Sequence, residues 1–222
     1  MKYKILKCIS LIFLLSLAGA QSDENINFTI CRLKYGGGGD WYSNPSSLPN
    51  LLKFIRENTN VIVSANEGRA SLDEEDLFSH TYLYMTGHGN VRFTDKEIIN
   101  LRAFLMGGGF LHADDNYGLD KSFRREMKRL FPNKDWVELP HDHKIYNINY
   151  KFPNGLPKIH EHDGKPPQGL GLFHNDRLIV FYTYESDLGD GWEDIEVHND
   201  PMDKHLDALK MGTNIFLFAL FQ

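Results

Sequence analysis

Short apolar runs alternate along the chain with stretches in which apolar positions recur every three or four residues, a pattern that predicts strands alternating with amphipathic helices. Residues 28–33 read as the first strand. Ser47 then caps a helix that turns Leu48, Leu51, Leu52 and Ile55 to one side and ends at Asn58-Thr59-Asn60, before a second strand over residues 61–65. Residues 82–86 form the third strand. Thr94 and Glu97 have the spacing of a capping box, Ile98, Leu101 and Leu105 make the inner face of the helix it opens, and Gly107-Gly108-Gly109 ends that helix before a fourth strand over residues 110–113.

Phe123, Met127 and Leu130 mark the inner face of the next helix, which Pro132 stops, while Lys121, Arg124, Arg125, Lys128 and Arg129 read as its solvated face. Residues 136–139 are a further short strand. The His-, Pro- and Gly-rich segment 140–168 reads as a surface excursion. Residues 170–173 and 178–184, separated by His174-Asn175-Asp176-Arg177, read as an antiparallel hairpin. Asp200 and Pro201 open a last helix with Leu206, Leu209 and Ile215 inward. The alternation predicts an α/β fold with a mostly parallel sheet and a C-terminal hairpin and helix.

Charge changes the picture by exclusion. The 222 residues carry a net charge of -6, so no global attraction to nucleic acid or anionic lipid exists. Lys2, Lys4 and Lys7, the apolar run 9–17 and Ala18-Gly19-Ala20 have the order of a secretory signal peptide cleaved after Ala20. The expected product is a single α/β domain, residues 21–222, secreted or periplasmic. Gln21 rather than Cys follows the cleavage site, so no lipid anchor and no membrane insertion are expected. Cys8 leaves with the signal; Cys31, alone in an apolar strand, reads as a small buried hydrophobe.

Ligands of an open parallel sheet bind outside the carboxyl ends of its strands, and the polar residues gather in the loops expected there. The first loop holds Gly36-Gly37-Gly38-Gly39-Asp40-Trp41, the next Thr86-Gly87-His88-Gly89-Asn90, and the third His112-Ala113-Asp114-Asp115-Asn116. A fourth segment, Glu185-Ser186-Asp187-Leu188-Gly189-Asp190-Gly191-Trp192-Glu193, again sets Gly beside acids and Trp. Gly37 and Gly38 permit close backbone approach to a ligand, although the loop lacks the pattern of a P-loop or dinucleotide fingerprint. Trp41 and Trp192 read either as platforms for a sugar ring or as packing.

His112 and Asp114 alternate on a strand and so share a face, where with His88 they offer nitrogen and oxygen to a divalent metal. The competing reading is a buried imidazole at His112, with Asp114 or Asp115 capping backbone N–H groups. His141-Asp142-His143 and His160-Glu161-His162-Asp163 are ligand-rich, but they lie in irregular sequence without fixed geometry and imply adventitious metal affinity.

Tyr82-Leu-Tyr-Met-Thr-Gly-His-Gly, the triglycine after the capped helix, and Phe110-Leu-His-Ala-Asp-Asp-Asn-Tyr-Gly resemble domain of unknown function family 4159 of bacteria. Arg32-Leu-Lys-Tyr-Gly-Gly-Gly-Gly-Asp-Trp, Gly191-Trp192-Glu193 and Lys210-Met-Gly-Thr-Asn-Ile-Phe extend the resemblance across nearly the whole mature chain. That family looks like a branch of the class I glutamine amidotransferase-like superfamily and is similar to ThuA-like trehalose-utilisation proteins. The resemblance implies a flavodoxin-like three-layer sandwich. It does not carry function: the turn at His112-Ala113-Asp114-Asp115 has neither Cys nor Ser, so glutamine hydrolysis is not expected.

The leading expectation is an exported domain that binds a polar ligand, a carbohydrate or cell-envelope component, through Gly37, Gly38, Asp40, Trp41, His88, His112, Asp114, Asp115 and Trp192. The alternative is a hydrolase with Asp114 as nucleophile or metal ligand and His88 or His112 as base. A third reading is a non-catalytic envelope assembly module with a protein partner. No cofactor is expected beyond a divalent metal, with His112 and Asp114 as its candidate ligands.

Overall fold

The computed structural model describes residues 28–222. The signal-peptide reading of residues 1–20, and Cys8 with it, lies outside them. The sheet is built from β1 (Cys31–Lys34), β2 (Gly68–Ser71), β3 (Tyr82–Met85), β4 (Phe110–Asp114), β5 (Val137–Glu138), β6 (Gln168–His174) and β7 (Arg177–Tyr184). Its seven strands run in the order β2-β1-β3-β4-β7-β6-β5. The first five of these are mutually parallel, and β6 and β5 complete the sheet in antiparallel pairings. The long helices are α1 (Ser47–Asn58), α2 (Asp95–Met106), α3 (Asp120–Leu130) and, at the C-terminus, α6 (Met202–Phe221); two single-turn helices, α4 (Leu188–Gly191) and α5 (Ile195–His198), follow β7.

Strand alternation divides the apolar residues between two layers. Leu83, Met85, Leu111 and Ala113 pack with Leu101, Phe104, Leu105, Phe123 and Met127 of α2 and α3. Tyr82, Tyr84, Phe110 and Phe181 face the other way, onto Leu48, Leu51 and Leu52 of α1 and Met211, Ile215 and Phe216 of α6. No helix among the described residues is long and apolar enough to cross a membrane; Ile215, Phe216, Leu217 and Phe218 of α6 are buried, and Phe221 at its end is exposed.

Several expected elements appear with their reasons. Thr94 and Glu97 form both hydrogen bonds of the capping box. Asn175 and Asp176 both take positive φ, 49° and 62°, in the two-residue turn that joins β6 to β7, the backbone that keeps a hairpin in register with strand twist. The hairpin is not an appendage: β7 also pairs in parallel with β4 and lies inside the sheet.

Other expectations are corrected. The second strand is Gly68–Ser71, not residues 61–65; Val63 contributes an isolated bridge to Phe28. The close approach to β1 selects Gly68, because a Cβ there would stand 2.5 Å from the Cys31 sulfur. Pro201 occupies the N-cap of α6 rather than its first turn, and Ser46 rather than Ser47 is the N-cap of α1. The 140–168 segment is no surface excursion. Ile145, Tyr146, Leu156 and Ile159 are buried against the α6 layer, and buried Asn214 bonds the backbone N–H groups of Asn149 and Tyr150 and the carbonyl of Tyr150. Nor is the basic side of α3 simply solvated. Arg125 and Arg129 clamp buried Glu126, which accepts the Phe93 backbone N–H, and Arg124 lies over the rings of Tyr182 and Tyr184.

Candidate functional site

The carboxyl ends of β1, β3, β4 and β7 lie along one edge of the sheet because these strands are parallel. The candidate residues fall there into separate groups. Asp40 and His88 meet at the ends of β1 and β3: the Asp40 carboxylate accepts the His88 backbone N–H and lies 3.1 Å from His88 Nδ1. The tetraglycine folds onto the same loop. Gly37, at φ 108°, receives the Asn90 side-chain amide on its carbonyl, and the Gly39 N–H donates to the Asn90 carbonyl. Its backbone is engaged with neighbouring protein there, while Gly38, at φ 94°, is open. Trp41 is half-buried, with its ring edge-on to Tyr42.

His112 and Asp114 do share a face of β4, but both are sealed. His112 Nδ1 is 3.1 Å from the Tyr82 hydroxyl and Nε2 is 3.1 Å from Thr183 Oγ1. Thr183 has one hydroxyl proton, and a carboxylate takes it: Oγ1 donates to Asp114 Oδ1 at 2.5 Å. The donor inventory therefore assigns Nε2–H to His112 and makes its Nδ1 the acceptor for Tyr82. Burial lowers the His112 pKa to about 3, so the ring is neutral. Asp114 also accepts the backbone N–H of Leu188 at 3.2 Å and of Gly189 at 2.6 Å.

Asp114 thus fastens α4 to the sheet, the capping role, though on α4 rather than on α3. Burial, reinforced by the charge of Asp187, raises its pKa to about 7. Trp192 lies fully buried against Tyr84 and His112, with its indole N–H on the Ala208 carbonyl, and offers no face to a ligand.

Asp115 lies at the floor of a cleft of about 200 Å³ lined also by Tyr117, Lys121, His162, Lys165 and Tyr184. It accepts the Glu185 N–H, and burial raises its pKa to about 6. Tyr117 is 65% exposed and stands edge-on to the His162 ring. Lys165 donates to the Tyr184 hydroxyl at 2.9 Å.

Beside this cleft lies a cluster that the sequence reading did not assemble. His160 Nδ1 is 3.2 Å from Asp190 Oδ2 and 3.4 Å from Asp187 Oδ2, and its Nε2 is 2.9 Å from Asp200. His162 reaches Asp187 at 2.8 Å, and His198 reaches Glu193 at 3.2 Å. The hydrogen bonds that the Asp187 and Asp190 carboxylates accept push the His160 pKa up to about 11, and the bond to Asp187 raises that of His162. Burial alone would raise the Asp187 carboxyl, but the two imidazoles outweigh it and hold it below the usual range.

Local folding places these groups. Asp187 takes a left-handed φ of 61° between β7 and α4, and its Oδ1 is buried without a hydrogen-bond partner. Asn44 holds Asp190 Oδ1 from the α1 side at 2.5 Å, and the Asn44 carbonyl is itself held by buried Arg32 of β1. The Ile159 N–H donates to the Ser186 carbonyl, tying the 140–168 segment to the turn after β7. The available sequence signals were the His160/His162 pair and the acid-rich 185–193 segment. In the other His pair, His143 Nδ1 accepts the Ile145 N–H and caps a single 3-10 turn.

The profile of a family described as Domain of unknown function (DUF4159) matches residues 29–220, so the chain belongs to that family. Comparison with curated proteins gives no match.

Proposed function

We propose that this member of the DUF4159 family is an exported single-domain protein that binds a polar ligand, a carbohydrate or cell-envelope component, at the carboxyl ends of β4 and β7. The cleft carries the reading: it sets the exposed ring of Tyr117 beside the Asp115 carboxyl, the His162 imidazole and the ammonium groups of Lys121 and Lys165. An aromatic face flanked by convergent donors and acceptors suits a hydroxylated ring. A flavodoxin-like, amidotransferase-like placement agrees with this position, since the parallel strands follow the order 2-1-3-4 before the final β7.

A second reading, a hydrolase, is favoured by Asp187. It occupies a left-handed strand-to-helix turn, has one unpaired buried oxygen, and is gripped by two imidazoles. This is the arrangement of an activated carboxylate. The hydrolytic reading moves from Asp114, whose two oxygens are already bonded, to Asp187.

Calorimetric titration with a panel of oligosaccharides and muropeptides tests both readings. A ligand should bind and lose about tenfold in affinity in Tyr117→Ala, the upper range for an aromatic contact. No binding across the panel would remove the carbohydrate reading. Turnover of a bound compound that is lost in Asp187→Asn while binding persists would establish the hydrolase.

A further inference from the structure

We propose that His160, Asp190 and His198 form a binding site for one divalent transition-metal ion, through His160 Nδ1, a carboxylate oxygen of Asp190 and His198 Nε2. The site is distinct from the Asp115–Tyr117 cleft and does not depend on what that cleft binds.

Distances carry the first part of the argument. One ligand atom from each residue lies within 4.8 Å of the other two. Asp190 Oδ2 stands 3.2 Å from His160 Nδ1 and 3.6 Å from His198 Nε2. Ligands held at about 2.1 Å around a tetrahedral zinc are separated by roughly 3.4 Å. Two edges of the ligand triangle therefore already have the required length. The third closes by a small movement of the partly exposed His198 on single-turn α5.

Orientation carries the second part. Asp200 lies 2.9 Å from His160 Nε2 and accepts its N–H, so Nδ1, which faces the Asp190 and Asp187 carboxylates, is the nitrogen that ligates once the metal displaces its proton. A carboxylate that holds the far nitrogen of a ligating histidine is the usual outer partner of a metal site. Asn44 does the same for Asp190 by bonding Oδ1 and leaving Oδ2 toward the two imidazoles.

The environment supplies the third part. Four carboxylates, Asp187, Asp190, Glu193 and Asp200, surround His160 and His198, an excess of negative charge that a dication offsets. Asp187 Oδ1, in the carboxyl group that touches His160, is buried with no partner. In the proposed centre a metal-bound water at the fourth position donates to it. All three ligating side chains are partly accessible, so the ion enters from solvent. Two imidazole nitrogens and one carboxylate oxygen favour zinc or cobalt over magnesium or calcium, which prefer all-oxygen sites.

The test titrates the full chain, stripped with chelator, with zinc chloride and with cobalt chloride. One equivalent should bind, cobalt should develop the visible absorption of a four-coordinate nitrogen–oxygen site, and excess magnesium should not compete. His198→Ala, at the rim of the cluster, should abolish stoichiometric binding, while Asp200→Asn should weaken it by about 10–100-fold. Circular dichroism in EDTA verifies that each variant is folded. His198→Gln serves in place of an unfolded His198→Ala, and His141→Ala should bind as the parent does. Absence of stoichiometric zinc binding in the parent, or undiminished binding in a folded His198 variant, would overturn the site. Tyr117→Ala should leave zinc binding unchanged, which separates failure of the metal site from failure of the ligand cleft.

Discussion

Two imidazole–carboxylate groups meet at α4, built from the same residue types in different surroundings. In one group Tyr82, His112, Thr183 and Asp114 form a closed chain of hydrogen bonds ending on the N–H groups of Leu188 and Gly189. In the other group His160, His162 and His198 meet four carboxylates, keep contact with solvent and leave Asp187 Oδ1 unpaired. The buried chain matches each donor to an acceptor and so serves to hold the fold. The outer cluster carries surplus acceptors and an open side, which is what a ligand needs. Residue type alone does not separate structure from function; the balance of donors, acceptors and water does.

The largest effect should come from the buried chain. Asp114→Ala strands the N–H groups of Leu188 and Gly189 and the Thr183 hydroxyl in a dry interior. It should cost about 3–5 kcal/mol in urea unfolding at neutral pH, since each stranded group costs about 1–3 kcal/mol. A loss under about 1 kcal/mol would mean that α4 does not need its fastening, and the comparison would break.

A smaller effect, with a decisive sign, lies in the pH dependence. The Asp114 pKa is raised to about 7, so its protonated form stabilises the fold below the ordinary carboxylate range, and that stability fades as pH rises toward 7. The His112 pKa is lowered to about 3, so its contribution is complete above the ordinary histidine value and fades as pH falls toward 3. The two slopes oppose each other between about pH 4 and 6.5. His112→Gln should therefore make stability fall more steeply with rising pH in that window, and Asp114→Asn should make it rise. Urea midpoints across the window measure both. Asp115 adds the same downward slope to parent and variants alike and drops out of the difference.

The smallest effect is expected where a histidine–carboxylate pair lies open to water. Asp40→Asn removes the charge beside half-exposed His88 and should change stability by less than about 1 kcal/mol, as exposed pairs do. A larger loss would show that Asp40 holds the tetraglycine loop through the His88 backbone N–H rather than through the imidazole.

Legibility followed the range of the interactions involved. The capping box at Thr94 is local, and so are the apolar faces of α1, α2 and α3, so these helices could be read directly. The edge strand β2, Gly-Arg-Ala-Ser, carries no apolar run and exists because β1 pairs with it. The more apolar residues 61–65 contribute only the isolated bridge of Val63 to Phe28. At the site, alternation placed His112 and Asp114 on one face, but Leu188 and Gly189, which seal Asp114, lie more than seventy residues away. The His160 cluster joins an irregular segment to the turn after β7 and to α5, and no spacing rule spans those distances.

The sequence by itself determined the α/β order, the capping box of α2 and the apolar faces of the long helices, because those depend on periodicity and local caps. Tertiary structure decided which polar residues are sealed and which stay open. A histidine or aspartate takes its role from the solvent and partners around it, and those are supplied by segments distant in the chain.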